Sequence, residues 1–127
     1  MKLQEEGGIT RISLDNIEVL KKEHGDVKFM FHSPYPDPDD PFTEIYFQDG
    51  FMWKATGFST GYRGEGPHGL ERAINLHLGR TDINIDVIAG LGHDSRACYL
   101  FTKGQGIGRT LMYISGVMDC EYDVEVW

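Results

Sequence analysis

The period of hydrophobic and polar positions changes several times along the chain, and each change predicts an element. Leu14, Ile17 and Leu20 recur at helical spacing, with Ser13 placed as a capping hydroxyl and Gly25 following Lys21 and Lys22. That pattern predicts a helix within residues 9–25, although Ile17 and Val19 also alternate as a strand would. Val27, Phe29 and Phe31 then alternate with Lys28, Met30 and His32, the period of a half-buried strand. Ile45 and Phe47 lead to Asp49-Gly50, with Phe51 and Trp53 beyond. Asp-Gly between alternating apolar runs predicts a tight hairpin. A helix follows, with Leu70, Ile74, His77 and Leu78 on one face and Glu71, Arg72 and Asn75 on the other. Pro67 suits its first turn and Gly79 its C-terminal cap, with Arg80 after it.

The remainder reads as β-rich. Ile83, Ile85 and Val87 alternate with Asp82, Asn84 and Asp86. Residues 97–101 are apolar on both faces, as in a central strand. A glycine turn from Lys103 to Arg109 leads into Leu111–Ile114. Cys120, Tyr122, Val124 and Val126 alternate with Glu121, Asp123 and Glu125, an acidic face suited to an edge strand. Pro34, Pro36, Pro38 and Pro41 exclude helix and central strand between them, and Asp37, Asp39 and Asp40 make that loop acidic. It lacks the glycine and glutamate of an EF-hand, so it reads as a stiff surface loop or a docking arm to a neighbouring subunit. The expected architecture is α+β, a single domain over 1–127. It has a mainly antiparallel sheet carrying one long helix and one possible short helix.

Composition narrows the function classes. The chain has 127 residues, 40% hydrophobic and 25% charged, ordinary for one soluble domain. A net charge of −8 argues against direct nucleic-acid binding, which needs a basic face. The charge is uneven: −6 over residues 1–50, +2 over 51–109 and −4 over 110–127. A locally basic middle suits a small anionic ligand. Cys98 and Cys120 form no CxxC pair, and neither a signal peptide nor a long apolar run is visible. A cytoplasmic protein with free thiols and no membrane contact is expected.

Candidate chemistry concentrates in that middle. Gly57, Gly61, Gly64, Gly66 and Gly69 crowd the approach to the second helix, and residues 64–69 spell G-x-G-x-x-G. The dinucleotide reading of that motif fails, because the chain offers no repeated βαβ units. The loop also lacks the Lys-Ser/Thr ending of a P-loop. What survives is a helix start whose free N–H groups, beside Arg63, could hold one phosphate. The plainer alternative is a tight turn needing positive φ at several glycines. Lys103 and Arg109 bracket the second glycine turn, and Tyr99, Phe101 and Tyr113 lie near it for base stacking. No HExxH or paired metal spacing joins His24, His32, His68, His77 and His93, so neither metal nor cofactor is expected. His68, with Glu65 nearby, is the best acid–base candidate, since a helix N-terminus disfavours its cation. His77 on an apolar face reads as core, and His93-Asp94-Ser95 lacks a nucleophile elbow. No catalytic set is demanded.

The residues Asp49-Gly50-Phe51-x-Trp53, Gly61-Tyr62-x-Gly64-x-Gly66-Pro67-x-x-Leu70 and Ala73-Ile74 resemble a pattern of small phage and bacterial proteins with a W-G-Y-x-G-x-G-P core. Lys54–Thr60 is inserted relative to its shortest form. In size and architecture the chain resembles the first described Thoeris anti-defence family of phage proteins. The positions that match are Tyr62, Gly64, Gly66, Pro67 and Leu70. The resemblance implies an oligomeric sponge that binds cyclic ADP-ribose-type signals, or cyclic oligonucleotides, without cleaving them. Joined to the residue reading, it gives an expected ligand site of Tyr62, Arg63, Gly64, Gly66, His68, Phe101, Lys103 and Arg109. A homo-oligomer and a small cyclic nucleotide ligand are expected. Two alternatives stay open: a small nucleotide-processing enzyme using His68, and an acidic nucleic-acid mimic using residues 37–40 and 119–125.

Overall fold

In the computed structural model, residues 8–33, 41–91, 98–110 and 125–126 are described. The chain forms α1 (Thr10–His24), β1 (Val27–Ser33), β2 (Phe42–Phe47) and β3 (Met52–Ala55). These are followed by α2 (Glu65–Leu78), α3 (Ile85–Gly90), β4 (Cys98–Thr102), β5 (Gly108–Thr110) and β6 (Glu125–Val126). The strands make one antiparallel sheet in the order β3-β2-β1-β4-β5-β6. This is an α+β domain. Ile17 and Leu20 of α1, with Leu70, Ala73 and Ile74 of α2, pack on Met30, Ile45, Phe47, Tyr99 and Phe101 of the sheet. The proline-rich loop at 34–40, His93-Asp94-Ser95, Leu111–Ile114 and the stretch from Cys120 to Val124 lie outside the described residues.

Each long helix ends as its glycine dictates. Gly25 closes α1 with its N–H on the carbonyl of Lys21, and Gly79 closes α2 in the left-handed conformation at φ 68°. The Asp49-Gly50 hairpin joins β2 to β3, with Gly50 at φ 92°. Asp49 accepts from the Phe51 N–H at 3.0 Å and from Nδ1 of His24 at 2.7 Å. The His24 ring stacks on Phe51 with centroids 3.9 Å apart, fastening the hairpin tip to the end of α1.

Three expectations change. Ser13 does not cap α1, which begins at Thr10 with Ile9 at its N-cap. The Ser13 hydroxyl instead accepts from the Gly57 N–H at 2.9 Å, while the Thr10 hydroxyl donates to the Gly57 carbonyl at 2.6 Å. Residues 83–87 do not form a strand, because the first turn of a helix is satisfied there from two sides. Asn84 accepts from the Val87 N–H at 3.1 Å, and Glu71 of α2 accepts from the Ile85 N–H at 2.6 Å. Burial then falls on Ile88 and Leu91, one helical step apart. β1 is not half-buried with one outer face. A bulge between Val27 and Phe29 brings Met30 into the core beside Val27, and Phe31, His32 and Ser33 are buried as well.

Gly57 is the tightest of these junctions. A Cβ there would lie 2.6 Å from both the carbonyl carbon and the oxygen of Ile9, which are backbone atoms and cannot turn aside. Gly57→Ala should therefore cost about 2–3 kcal/mol in urea unfolding through overpacking and loss of the two clamping bonds. Gly90, with open space around its Cβ position, is the control. Gly90→Ala should leave stability unchanged or raise it by up to about 1 kcal/mol.

Candidate functional site

The glycine-dense approach to α2 is built for close contact. A Cβ on Gly66 would meet Ser59 Oγ at 2.1 Å, and one on Gly69 would meet Thr10 Cγ2 at 2.2 Å. Of the five glycines only Gly61 has positive φ, at 87°. The turn thus needs glycine for lack of a side chain more than for left-handed backbone. Tyr62 lies over Gly64, its ring 2.4 Å from where a Cβ would stand, and its hydroxyl accepts from Ser59 at 3.0 Å.

The start of α2 is a poorer anion cradle than its glycines suggest. Gly64 is the N-cap, Glu65 puts a carboxylate in the first turn, and Pro67 removes a donor. Arg63 turns away to pair with Asp86 of α3, both side chains being exposed. Of the residues expected here, His68 keeps an open side chain, with Nδ1 3.7 Å from Glu71 Oε1.

The second glycine turn sits at the other end of α2. Arg80, 5% exposed, follows the α2 cap and donates to the carbonyls of Thr102 and Gly106 at 3.1 and 3.0 Å. Asp82 holds the rest of its guanidinium at 2.8 and 2.7 Å. The turn that Arg80 holds is thereby separated from His68 by the ten residues of α2 from His68 to Leu78, about 15 Å at 1.5 Å per residue. Phe101 is 0% exposed and belongs to the core, so its ring has no face free for a base. Within one chain the two glycine turns do not meet.

Another arrangement brings His68 together with cations that the sequence reading left aside. Thr10 abuts Gly69 and Glu18 meets His77, the same eight-residue step on both helices, so α1 and α2 run parallel. Along their seam lies a groove of about 620 Å³ lined by Arg11 and Leu14 from α1 and by His68, Arg72 and Leu76 from α2, with the carboxylates of Glu65 and Glu71 on the same wall. A further hollow of about 360 Å³ shares Arg11, Leu14, Arg72 and Leu76 and continues to Asp15, Glu18 and His77. Arg11 and Arg72 are exposed, and among the described residues neither has a hydrogen bond or ion pair. Both helix N-termini point to the His68 end, where Glu65 offsets the positive potential of the α2 terminus. No sequence period reports which two helices share a seam, which is why Arg11 and Arg72 escaped notice.

Among the described residues no group of three His, Cys, Asp or Glu is placed to hold a metal, and no helix is long and apolar enough to cross a membrane. Comparison of the chain with protein-family models, curated proteins and solved structures finds no match. The site must therefore be argued from its own chemistry.

His77 floors the far end of the seam, its side chain 2% exposed and Nε2 3.5 Å from Glu18 Oε1. Burial holds it below its ordinary 6.5, outweighing the opposing pull of Glu18. The folded chain therefore keeps His77 neutral, and protonation favours the unfolded chain. Stability should fall as pH drops below the unfolded value near 6.5. Urea midpoints measured from about pH 7.5 to about pH 5 should decline less in His77→Gln than in the wild type. Parallel curves would remove His77 from this account.

Proposed function

We propose that the chain is a non-catalytic binder that sequesters a cyclic or glyco-cyclic ADP-ribose-type signal in the seam between α1 and α2. The observation that carries this reading is the meeting of His68, Arg11 and Arg72 around one groove, where neither arginine has a hydrogen bond or ion pair among the described residues, although Glu65 and Glu71 share the lining. Its volume of about 620 Å³ falls in the range of small-molecule sites, roughly 300–1,000 Å³. The resemblance to Thoeris anti-defence proteins supplies the ligand class. Exposed guanidiniums suit its phosphates, because Arg presents planar, bidentate donors. The expected contacts at Tyr62, Arg63, Lys103 and Arg109 lie off this seam, so they are not required for it.

The seam faces solvent: Arg11, His68 and Arg72 are exposed, and Leu76 is 57% exposed. A second copy closing over it would supply the missing wall and bury that leucine. A homo-oligomer follows from this reading, and cytoplasmic placement follows from where such a signal acts.

The contact between His68 and Glu71 keeps an enzymatic alternative in view. Glu71, however, already accepts the Ile85 N–H, which ties its carboxylate to α3.

Isothermal titration with a cyclic ADP-ribose isomer should give saturable heat, and Arg72→Ala or Arg11→Ala should weaken binding by about tenfold or more, about 1.4 kcal/mol. Denaturing the loaded protein should return the ligand intact. Absence of heat together with no protection of the ligand would end the sponge reading, and recovery of a product would replace it with the enzymatic one.

A further inference from the structure

One edge of the sheet is open. β3 stands last in the strand order and pairs with β2 alone. The Phe47 N–H donates to the Phe51 carbonyl at 2.9 Å, which fixes the phase of their ladder. Hydrogen-bonded and non-hydrogen-bonded pairs alternate in an antiparallel ladder, so Trp53 and Ala55 turn their peptide groups toward β2. Met52 and Lys54 turn theirs away from it. Among the described residues none of these outward N–H and C=O groups has a partner.

The devices that keep other strands off such an edge are missing here. Proline, a bulge or a charge projecting past the edge serves that purpose in most sheets. Residues 52–55 hold no proline, and their register with β2 is unbroken. The one charge, the Lys54 ammonium, is folded back over the Phe42 ring of its own sheet, 4.2 Å from the centroid.

We propose that a second copy of the chain pairs on this edge, β3 against β3, antiparallel about a two-fold axis at Trp53. The edge is complementary to itself in that register. Met52 of each copy stands opposite Lys54 of the other, and the outward groups of both residues form four reciprocal hydrogen bonds. No like charges face each other across the axis, because Lys54 meets a methionine. The two Trp53 residues meet as a non-hydrogen-bonded pair, the closer kind, where aromatic cross-strand pairs stabilise. An unrelated extended peptide would supply the backbone bonds but not these side-chain pairs. Both helix layers then lie on the same side of one continuous sheet, so each seam between α1 and α2 stays open. This interface is distinct from a second copy closing over the seam, and it does not depend on what the seam binds. With four residues on each side, the pairing is concentration-dependent.

Sedimentation and amide hydrogen exchange on the full chain test it. The wild type should sediment at twice the chain mass when concentrated and dissociate on dilution. The Met52 and Lys54 amides should exchange about tenfold or more slower in the dimer than in the diluted chain. Lys54→Pro removes an N–H that points away from β2, so it spares the β2–β3 ladder and should be monomeric. Retained protection of the Trp53 amide, which faces β2, shows that this variant is folded. Lys54→Ala keeps the N–H and should remain dimeric. A monomer at every concentration overturns the inference, as does a dimer whose Met52 and Lys54 amides exchange at the diluted rate. A dimer lost in Leu76→Ser but kept in Lys54→Pro puts the second copy over the seam and overturns it too. The reverse pattern supports edge pairing and leaves the ligand reading of the seam to its own titration.

Discussion

The architecture depends on how one peptide, that of Gly57, is held. Thr10 donates to its carbonyl and Ser13 accepts from its N–H, so the first turn of α1 grips the chain just after β3. Both groups are buried, where an unpaired peptide would cost about 1–3 kcal/mol each, so the clamp is enforced by desolvation as much as by the bonds. Gly69 repeats the contact one layer further on, receiving the methyl of Thr10 where a side chain would otherwise stand. Two glycines and two hydroxyls thus fix the depth at which α1 meets α2. That depth sets the parallel seam that Arg11 and Arg72 both line.

Glycine in this stretch serves closeness. A string of five invites comparison with phosphate-binding loops, where glycine frees the backbone to wrap an anion. Here the space vacated by absent side chains is filled by Ile9, Thr10, Ser59 and Tyr62. The donors that a loop would offer to phosphate are reduced by Pro67 and countered by Glu65. The side chains proposed to hold an anion, Arg11 and Arg72, instead come from two helices.

Much of the fold was legible in the sequence because it is written locally. Helical spacing and capping glycines marked α1 and α2, and Asp49-Gly50 marked the hairpin. Local pattern misled where tertiary partners decide. The alternation over 83–87 looks like a strand until Glu71, fourteen residues away, is seen to cap Ile85. The capping role expected of Ser13 gave way because Gly57, forty-four residues on, takes the same hydroxyl. The expected ligand residues scattered for the same reason: His68 reached the seam, Phe101 went to the core, and Arg63 found Asp86. Arg80 was seen only as the residue after a cap, because the carbonyls it binds lie 22 and 26 residues downstream.

Arg80 also changes the character of the turn it holds. Three alternate glycines between Lys103 and Arg109 would by composition make a wandering segment, costly to order when anything binds it. One guanidinium, itself braced by Asp82, pins the carbonyls of Thr102 at the end of β4 and Gly106 within the turn to the end of α2. The ordering entropy is spent during folding, and the two flanking cations stand on a prearranged hairpin.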